Sequence, residues 1–269
     1  MELITTHTHT CFTNHGEGTV EELVSAAVAA GVSTIAVTEH YPMTATFDPD
    51  RYLSMPAERM GEYLAAVEAA REAHPEIEVL VGIEIGEPHA DPAADAFIRG
   101  HELDMVIGSL HAMPNDLDIY FHDYANLDCD AFLHEYFYQV LEMEAHGGFD
   151  VLAHIDYPLR VMKHGDYIPS FDNYMDRVQQ VLRSCIDHGY ALELNAAGIA
   201  GWQKKVGPPQ NILYEYKRMG GERISIGSDS HTLDTVARGV DDCVKNALDA
   251  GFTHVTVFRE RKPVQIALK

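Results

Sequence analysis

Residues 2–10 read ELITTHTHT: a β-rich run at 3–6 passes directly into two histidines one position apart, His7 and His9. In an extended chain alternate side chains share a face, so positions i and i+2 can reach one ion where i and i+1 point apart. The same join returns along the chain. STIAVTEH (33–40) ends on Glu39-His40, EVLVGIE (78–84) on Glu84, DMVIGSLH (104–111) on His111, DVLAH (150–154) on His154, and RISIGSDSH (223–231) on Asp229-Ser-His231.

These runs predict strands over 2–6, 33–38, 78–84, 104–110, 150–153, 191–195, 223–227 and 254–258, seven or eight in all. VLVGI, MVIG and ISIG are apolar on successive residues, as expected of strands covered on both faces. Amphipathic stripes between them predict helices over 19–30, 57–73, 130–146, 173–188, 212–219 and 235–250. The first has the clearest signals, a capping box of Thr19 and Glu22 and a stop at Gly31. Alternation of this kind argues for parallel strands with crossover helices. The first strand-to-helix turn lacks the Gly-x-Gly-x-x-Gly loop of a dinucleotide fold, so the expected architecture is a single-domain α/β chain, a (β/α)7-type distorted TIM-like barrel over residues 1–269. In a barrel all parallel strands deliver their C-terminal ends to one rim, so ligand residues spread over the chain converge there.

The composition agrees with a globular chain: 269 residues, 46% apolar and 23% charged. Nineteen lysines and arginines against 42 acidic residues leave −23, which disfavours nucleic acid as a partner. Cys11, Cys129, Cys185 and Cys243 are scattered without a Cys-x-x-Cys pair, so thiolate metal sites and disulfides are not expected. The opening MELITTHTHT has no secretory pattern and no apolar run suits a membrane span, so a cytoplasmic, soluble protein is expected. Oligomerisation leaves no readable mark.

The set THTHT, TEH, GIEIG, SLH, AHIDY and GSDSH resembles the PHP (polymerase and histidinol phosphatase) family of metal-dependent phosphoesterases over nearly the whole chain. The stretches ALELNAAG and VTVFRERKPVQIAL are similar to its histidinol-phosphatase branch. The resemblance implies three divalent metal ions. His7, His9, Glu84 and Asp229 would hold the first; Glu84 would bridge to a second completed by His111 and His154; His15, His40 and His231 would hold the third. Of the nine remaining histidines, His122 and His164 follow strand ends, within reach of substrate.

Seven imidazoles and two carboxylates without a thiolate suit zinc, manganese or iron rather than magnesium or calcium. A carboxylate bridging two such ions sets them about 3.5 to 4 Å apart, where a shared water ionises near neutral pH and becomes the nucleophile. The expected reaction is hydrolysis of a small phosphate monoester, above all L-histidinol phosphate to L-histidinol in histidine biosynthesis. The alternatives are a phosphodiesterase or exonuclease of the same family, a phosphatase of another phosphoester, and a non-catalytic metal-binding barrel. Asp229 or His231 is nearest for the general acid, and Arg160 in YPLR is placed to grip phosphate. Ala200 stands where histidinol-phosphatase relatives often carry arginine, with Lys204 and Lys205 shortly after as substitutes. The loops 41–55 and 112–127, with Tyr41, Phe47, Tyr52, Tyr120, Phe121 and Tyr124, form the expected specificity wall. Asp48, Asp116 or Asp123 would there meet a substrate ammonium group.

Overall fold

The computed structural model describes residues 2–41, 55–114 and 116–268. The chain runs β1 (Leu3–Thr5), α1 (Val20–Ala29), β2 (Val32–His40), α2 (Met60–Ala73), β3 (Glu78–Gly86), α3 (Ala94–Arg99), β4 (Met105–Ser109) and α4 (Cys129–His146). It continues through β5 (Val151–Leu152), α5 (Tyr157–Val161), α6 (Met175–His188), β6 (Ala191–Asn195), α7 (Gln210–Arg218), β7 (Ile224–Gly227), α8 (Val240–Asp249), β8 (His254–Arg259) and β9 (Lys262–Ala267).

Strands β1 to β7 pair in sequence order and every pairing is parallel. The seam between β1 and β7 is drawn together by backbone bonds: Thr6 N–H donates to Ile226 O (2.8 Å), Asp229 N–H to His7 O (2.9 Å) and His9 N–H to Ser230 O (2.8 Å). The result is the expected seven-stranded, nearly closed barrel. Helix α1 starts as its sequence predicts, with Thr19 and Glu22 capping each other's backbone.

The eighth expected strand forms, but outside the barrel. Residues His254–Arg259 do not join the barrel; they pair antiparallel with Lys262–Ala267 in a separate hairpin. Its two turn residues, Glu260 and Arg261, both adopt left-handed φ (49° and 62°), the geometry of a tight I′-type turn usually signalled by Asn-Gly. A Glu-Arg pair carries no such signal. Tertiary contacts hold the turn instead, at the N-terminal ends of the barrel strands. Arg259 pairs with Glu78, Arg261 N–H donates to Asp104 O (2.8 Å), and the Arg261 guanidinium bonds the Asp150 carboxylate and Gly148 O. The short helices α3 and α5 also lie outside the predicted set, each being too brief to show a periodic stripe.

Between α4 and α6, Glu144 is fully buried, and neither carboxylate oxygen has a hydrogen-bond partner. Burial pushes its pKa up to about 9. Between the ordinary carboxylate range and that value the folded chain keeps a proton that the unfolded chain has lost, so folding stability falls as pH rises through this window. Glu144→Gln is expected to remove the dependence: the stability difference between variant and parent grows with pH from 5 to 8, at up to ~1.4 kcal/mol per pH unit, in urea melts. A constant difference would show that Glu144 is ionised in the fold. At the hairpin, Arg261→Ala leaves the Asp150 carboxylate with the Val106 N–H as its hydrogen-bond donor. It is expected to cost about 2 kcal/mol, read as a lowered urea midpoint at unchanged slope.

Candidate metal centre

Glu84, near the end of β3 and 1% exposed, stands at the middle of the rim. Its Oε2 lies 3.1 Å from His7 Nε2, 3.4 Å from His9 Nε2 and 2.9 Å from His40 Nδ1. Its Oε1 lies 3.1 Å from His111 Nε2 and 3.0 Å from His154 Nε2. One carboxylate thus meets imidazoles delivered by β1, β2, β4 and β5. Asp229, after β7, brings Oδ1 to 3.7 Å from His7 Nε2 and 3.5 Å from His9 Nε2. Asp229 holds a left-handed φ of 53°, uncommon for a residue with a side chain, in a turn anchored by its N–H on His7 O.

The remaining imidazoles stack beside this group. Ring centroids of His9 and His231 are 4.2 Å apart, His9 and His40 4.3 Å, His15 and His231 4.5 Å, and His15 and His40 5.2 Å. All nine ligand residues expected from the sequence are therefore brought to one rim.

Their grouping is richer than the expected three sets. Ligand atoms converge as His7, His9 and Asp229; as His7, Glu84 and His154; as His40, Glu84 and His111; and as His9, His40 and His231. His15 reaches the stack from an exposed loop and is not in these groups.

The donor set fits divalent cations. His7 Nε2, both nitrogens of His9, Glu84 Oε2 and His231 Nε2 are buried without a hydrogen-bond partner, an expensive arrangement unless a cation is to receive them. Burial, reinforced by His231 and His40, holds His9 well below the ordinary imidazole range, which keeps it neutral and ligand-ready. Burial opposes ionisation of Glu84 and Asp229, but the surrounding histidines win and both carboxyls stay well below their usual range.

Behind the ligand residues lies a layer of carboxylates, of which the sequence marked only Glu39, at a strand end beside His40. Glu39 accepts the backbone N–H groups of Thr10 (2.9 Å) and Thr13 (3.0 Å) and both hydroxyls, and burial pushes its pKa up to about 7. Glu87 accepts the N–H groups of His111 and Ala112, and Glu193 bonds His7 Nδ1. For Glu193 the only hint was an acidic residue inside an otherwise apolar strand, LEL.

A cavity of about 390 Å³ opens onto the cluster, walled by Tyr120, Phe121 and Tyr157 beside the histidines. Tyr120 and Phe121 come from the loop expected to form a wall; Tyr157, whose hydroxyl donates to Asp118 Oδ1 (3.0 Å), was not foreseen. Arg160 stands beside Asp229, outside the residues that wall the cavity. Its guanidinium donates twice to Asp156 (3.1 and 3.2 Å), and Nη1 is 3.7 Å from Asp229 Oδ2. Lys204 and Lys205 line a neighbouring groove with Trp202, away from the cluster. His122 packs against Phe132 and Tyr124, and His164 stacks on Tyr167, so neither reaches the cavity. Tyr41 packs on Phe97, and Tyr124 is buried with its hydroxyl on Ile119 O. Asp123 bonds Asn126 and Asp116 lies beside His122; neither lines the cavity. Phe47, Asp48 and Tyr52 fall outside the described residues. Among the described residues no helix is long and apolar enough to cross a membrane.

Comparison with known proteins agrees with this geometry. Residues 5–197 match the PHP domain family model. The chain is 30% identical over 268 residues to a protein of Deinococcus radiodurans called a probable histidinol-phosphatase, covering 97% of this chain and 98% of that one. It is 29% identical over 274 residues to a protein of the same name from Clostridium acetobutylicum, with the same coverage. The fold matches the crystal structure of histidinol phosphate phosphatase from Lactococcus lactis, complexed with zinc, L-histidinol and phosphate, at a TM-score of 0.83, with 21% identity and 98% and 99% of the two chains covered. A barrel whose strands β1 to β5 and β7 each send histidines or acids to one rim, in a chain matched over most of its length by this family's model, is a member of the PHP domain family.

Proposed function

We propose that this chain is a metal-dependent phosphatase that hydrolyses L-histidinol phosphate to L-histidinol and phosphate. The observation that carries the reading is Glu84, a buried carboxylate facing five imidazoles at the floor of an open cavity. The names of its relatives support the substrate. Three divalent cations, zinc, manganese or iron, are assigned to the rim. His7, His9, Glu84 and Asp229 would hold the first, Glu84, His111 and His154 the second, and His15, His40 and His231 the third. When bound, such ions neutralise phosphoryl oxygens and bring the pKa of water close to neutrality.

The chain's own groups supply the rest. Asp229 is held ionised, and His231 Nδ1 faces the Asp229 carbonyl at 3.2 Å, which leaves Nε2 as a lone-pair atom. Both are therefore assigned to ligation, and the proton that completes the leaving alcohol is assigned to solvent. Arg160, locked on Asp156 with Nη1 toward Asp229, is assigned to holding Asp229 and to drawing the substrate phosphate toward that side of the rim by its charge. Tyr120, Phe121 and Tyr157 present aromatic faces to the part of the substrate beyond the phosphate, where an imidazole can stack. A phosphorylated biosynthetic intermediate as substrate implies work in the cytoplasm.

Four measurements test this. Zinc- or manganese-loaded protein is expected to release phosphate from L-histidinol phosphate at a kcat/KM about 100-fold above that for a generic aryl phosphate, equivalent to ~3 kcal/mol, and to leave single-stranded DNA intact. Equal rates on all monoesters would remove the substrate; cleavage of DNA would move the chain to the nuclease side of its family. Chelation abolishes turnover and readdition restores it, while Glu84→Gln loses about 10³-fold in kcat/KM. Undiminished turnover in that variant would overturn the metal mechanism. Phe121→Ala is expected to raise KM for histidinol phosphate about 5- to 10-fold with kcat little changed, the mark of lost ground-state stacking.

A further inference from the structure

Strand β6 carries none of the assigned ligands, yet its Glu193 touches them from behind. The side chain is 1% exposed inside the barrel. Oε1 accepts a hydrogen bond from His7 Nδ1 at 2.6 Å, and Oε2 accepts the backbone N–H of His154 at 2.8 Å. Oε2 also accepts from Asn195 Nδ2 at 3.1 Å, and the same nitrogen donates to Asp229 Oδ2 at 3.2 Å. A single carboxylate therefore reaches residues after β1 and β5 directly, and one after β7 through one amide. Among the described residues no lysine or arginine forms an ion pair with it. Burying a carboxylate costs several kcal/mol, and an apolar side chain would fill the barrel interior without that cost.

The neighbouring strand makes room for this contact. Gly227 on β7 lies so close that a Cβ there would stand 2.5 Å from Glu193 Oε1 and 2.5 Å from His7 Cβ. Any larger residue would drive the pair apart. On the far side of the ring, His7 Nε2 has no hydrogen-bond partner and faces Glu84 Oε2 at 3.1 Å and Asp229 Oδ1 at 3.7 Å.

We propose that Glu193 is a positioning residue: it fixes His7 with the proton on Nδ1, aims Nε2 at the cation site shared with Glu84 and Asp229, and sets His154 and Asp229 in register with it. A carboxylate behind a ligating imidazole orients the ring and raises its basicity, and loss of such a partner typically weakens metal binding by about 10- to 100-fold. The inference rests on the cation-binding reading of the rim and not on the identity of the substrate.

The test uses the full chain and zinc alone. Zinc affinity of the parent and of Glu193→Gln is measured by competition with a chromophoric chelator, with thermal melts of the metal-stripped forms alongside. The glutamine keeps the shape but presents an N–H to groups that need an acceptor. Its zinc affinity is expected to fall about 10- to 100-fold while the metal-stripped form still melts cooperatively. An affinity within twofold of the parent's overturns the proposal. Should the variant not fold, ring-¹⁵N NMR of the zinc-loaded parent decides: His7 protonated on Nδ1 supports it, and His7 protonated on Nε2 overturns it. A parent that takes up no zinc overturns this proposal and the metal reading together; a parent that binds zinc beside an equally tight Glu193→Gln overturns this one alone.

Discussion

The buried charge of Glu84 is the constraint around which the rim is organised. A carboxylate removed from water is costly unless opposite charge and hydrogen-bond donors surround it. Glu84 meets that condition with five imidazoles, three against one oxygen and two against the other. That division holds only if strands β1, β2, β4 and β5 all end at one height, which the parallel register of the barrel provides. A divalent charge among these groups would complete the compensation, since several of their buried atoms have no hydrogen-bond partner.

A second layer of acids keeps the first in place. Glu39, Glu87 and Glu193 each accept backbone N–H groups from a segment that carries a candidate ligand, beside His9, at His111 and at His154 respectively. Each stands at or near the end of a barrel strand, so the ligand loops are fastened to rigid elements rather than to one another. The left-handed Asp229 is the one candidate ligand held in an unfavoured backbone conformation, and it is flanked by Arg160 and Asn195. The opposite end of the barrel carries a different device: the β8–β9 hairpin, whose Arg259, Glu260 and Arg261 are bound to acids at the start of β3 and just before β4 and β5. One end of the barrel gathers imidazoles around a carboxylate; the other pairs guanidinium groups with carboxylates.

Much of this was legible because strand ends are local. A β-rich run that stops on His7-Thr-His9 or Asp229-Ser-His231 states both the element and the direction of its last side chains, and parallel topology does the rest. The seven strands and the capping box at Thr19 follow from such local patterns. What failed to show has physical reasons. The β8–β9 turn depends on Asp104 and Asp150 rather than on its own residues. Helices α3 and α5 are too short for periodicity. Arg160 reads as a free cation in sequence, whereas Asp156, one helical turn before it, claims two of its donors. Lys204 and Lys205 follow the right strand but line a different groove.

The chain of amino acids by itself determined which chemistry is present: seven imidazoles and two acids at strand ends, no thiolate, a parallel α/β order, and a family resemblance that its fold and family match sustain. Folding decided which of these groups meet. It brought five imidazoles against Glu84, stacked His15 on the outside of the ring, drew Glu193 behind His7 across the space left by Gly227, and turned Phe121 and Tyr157 toward the cavity. Those outcomes depend on contacts between residues far apart in the chain, whose distances are fixed only once the barrel closes and its interior is packed.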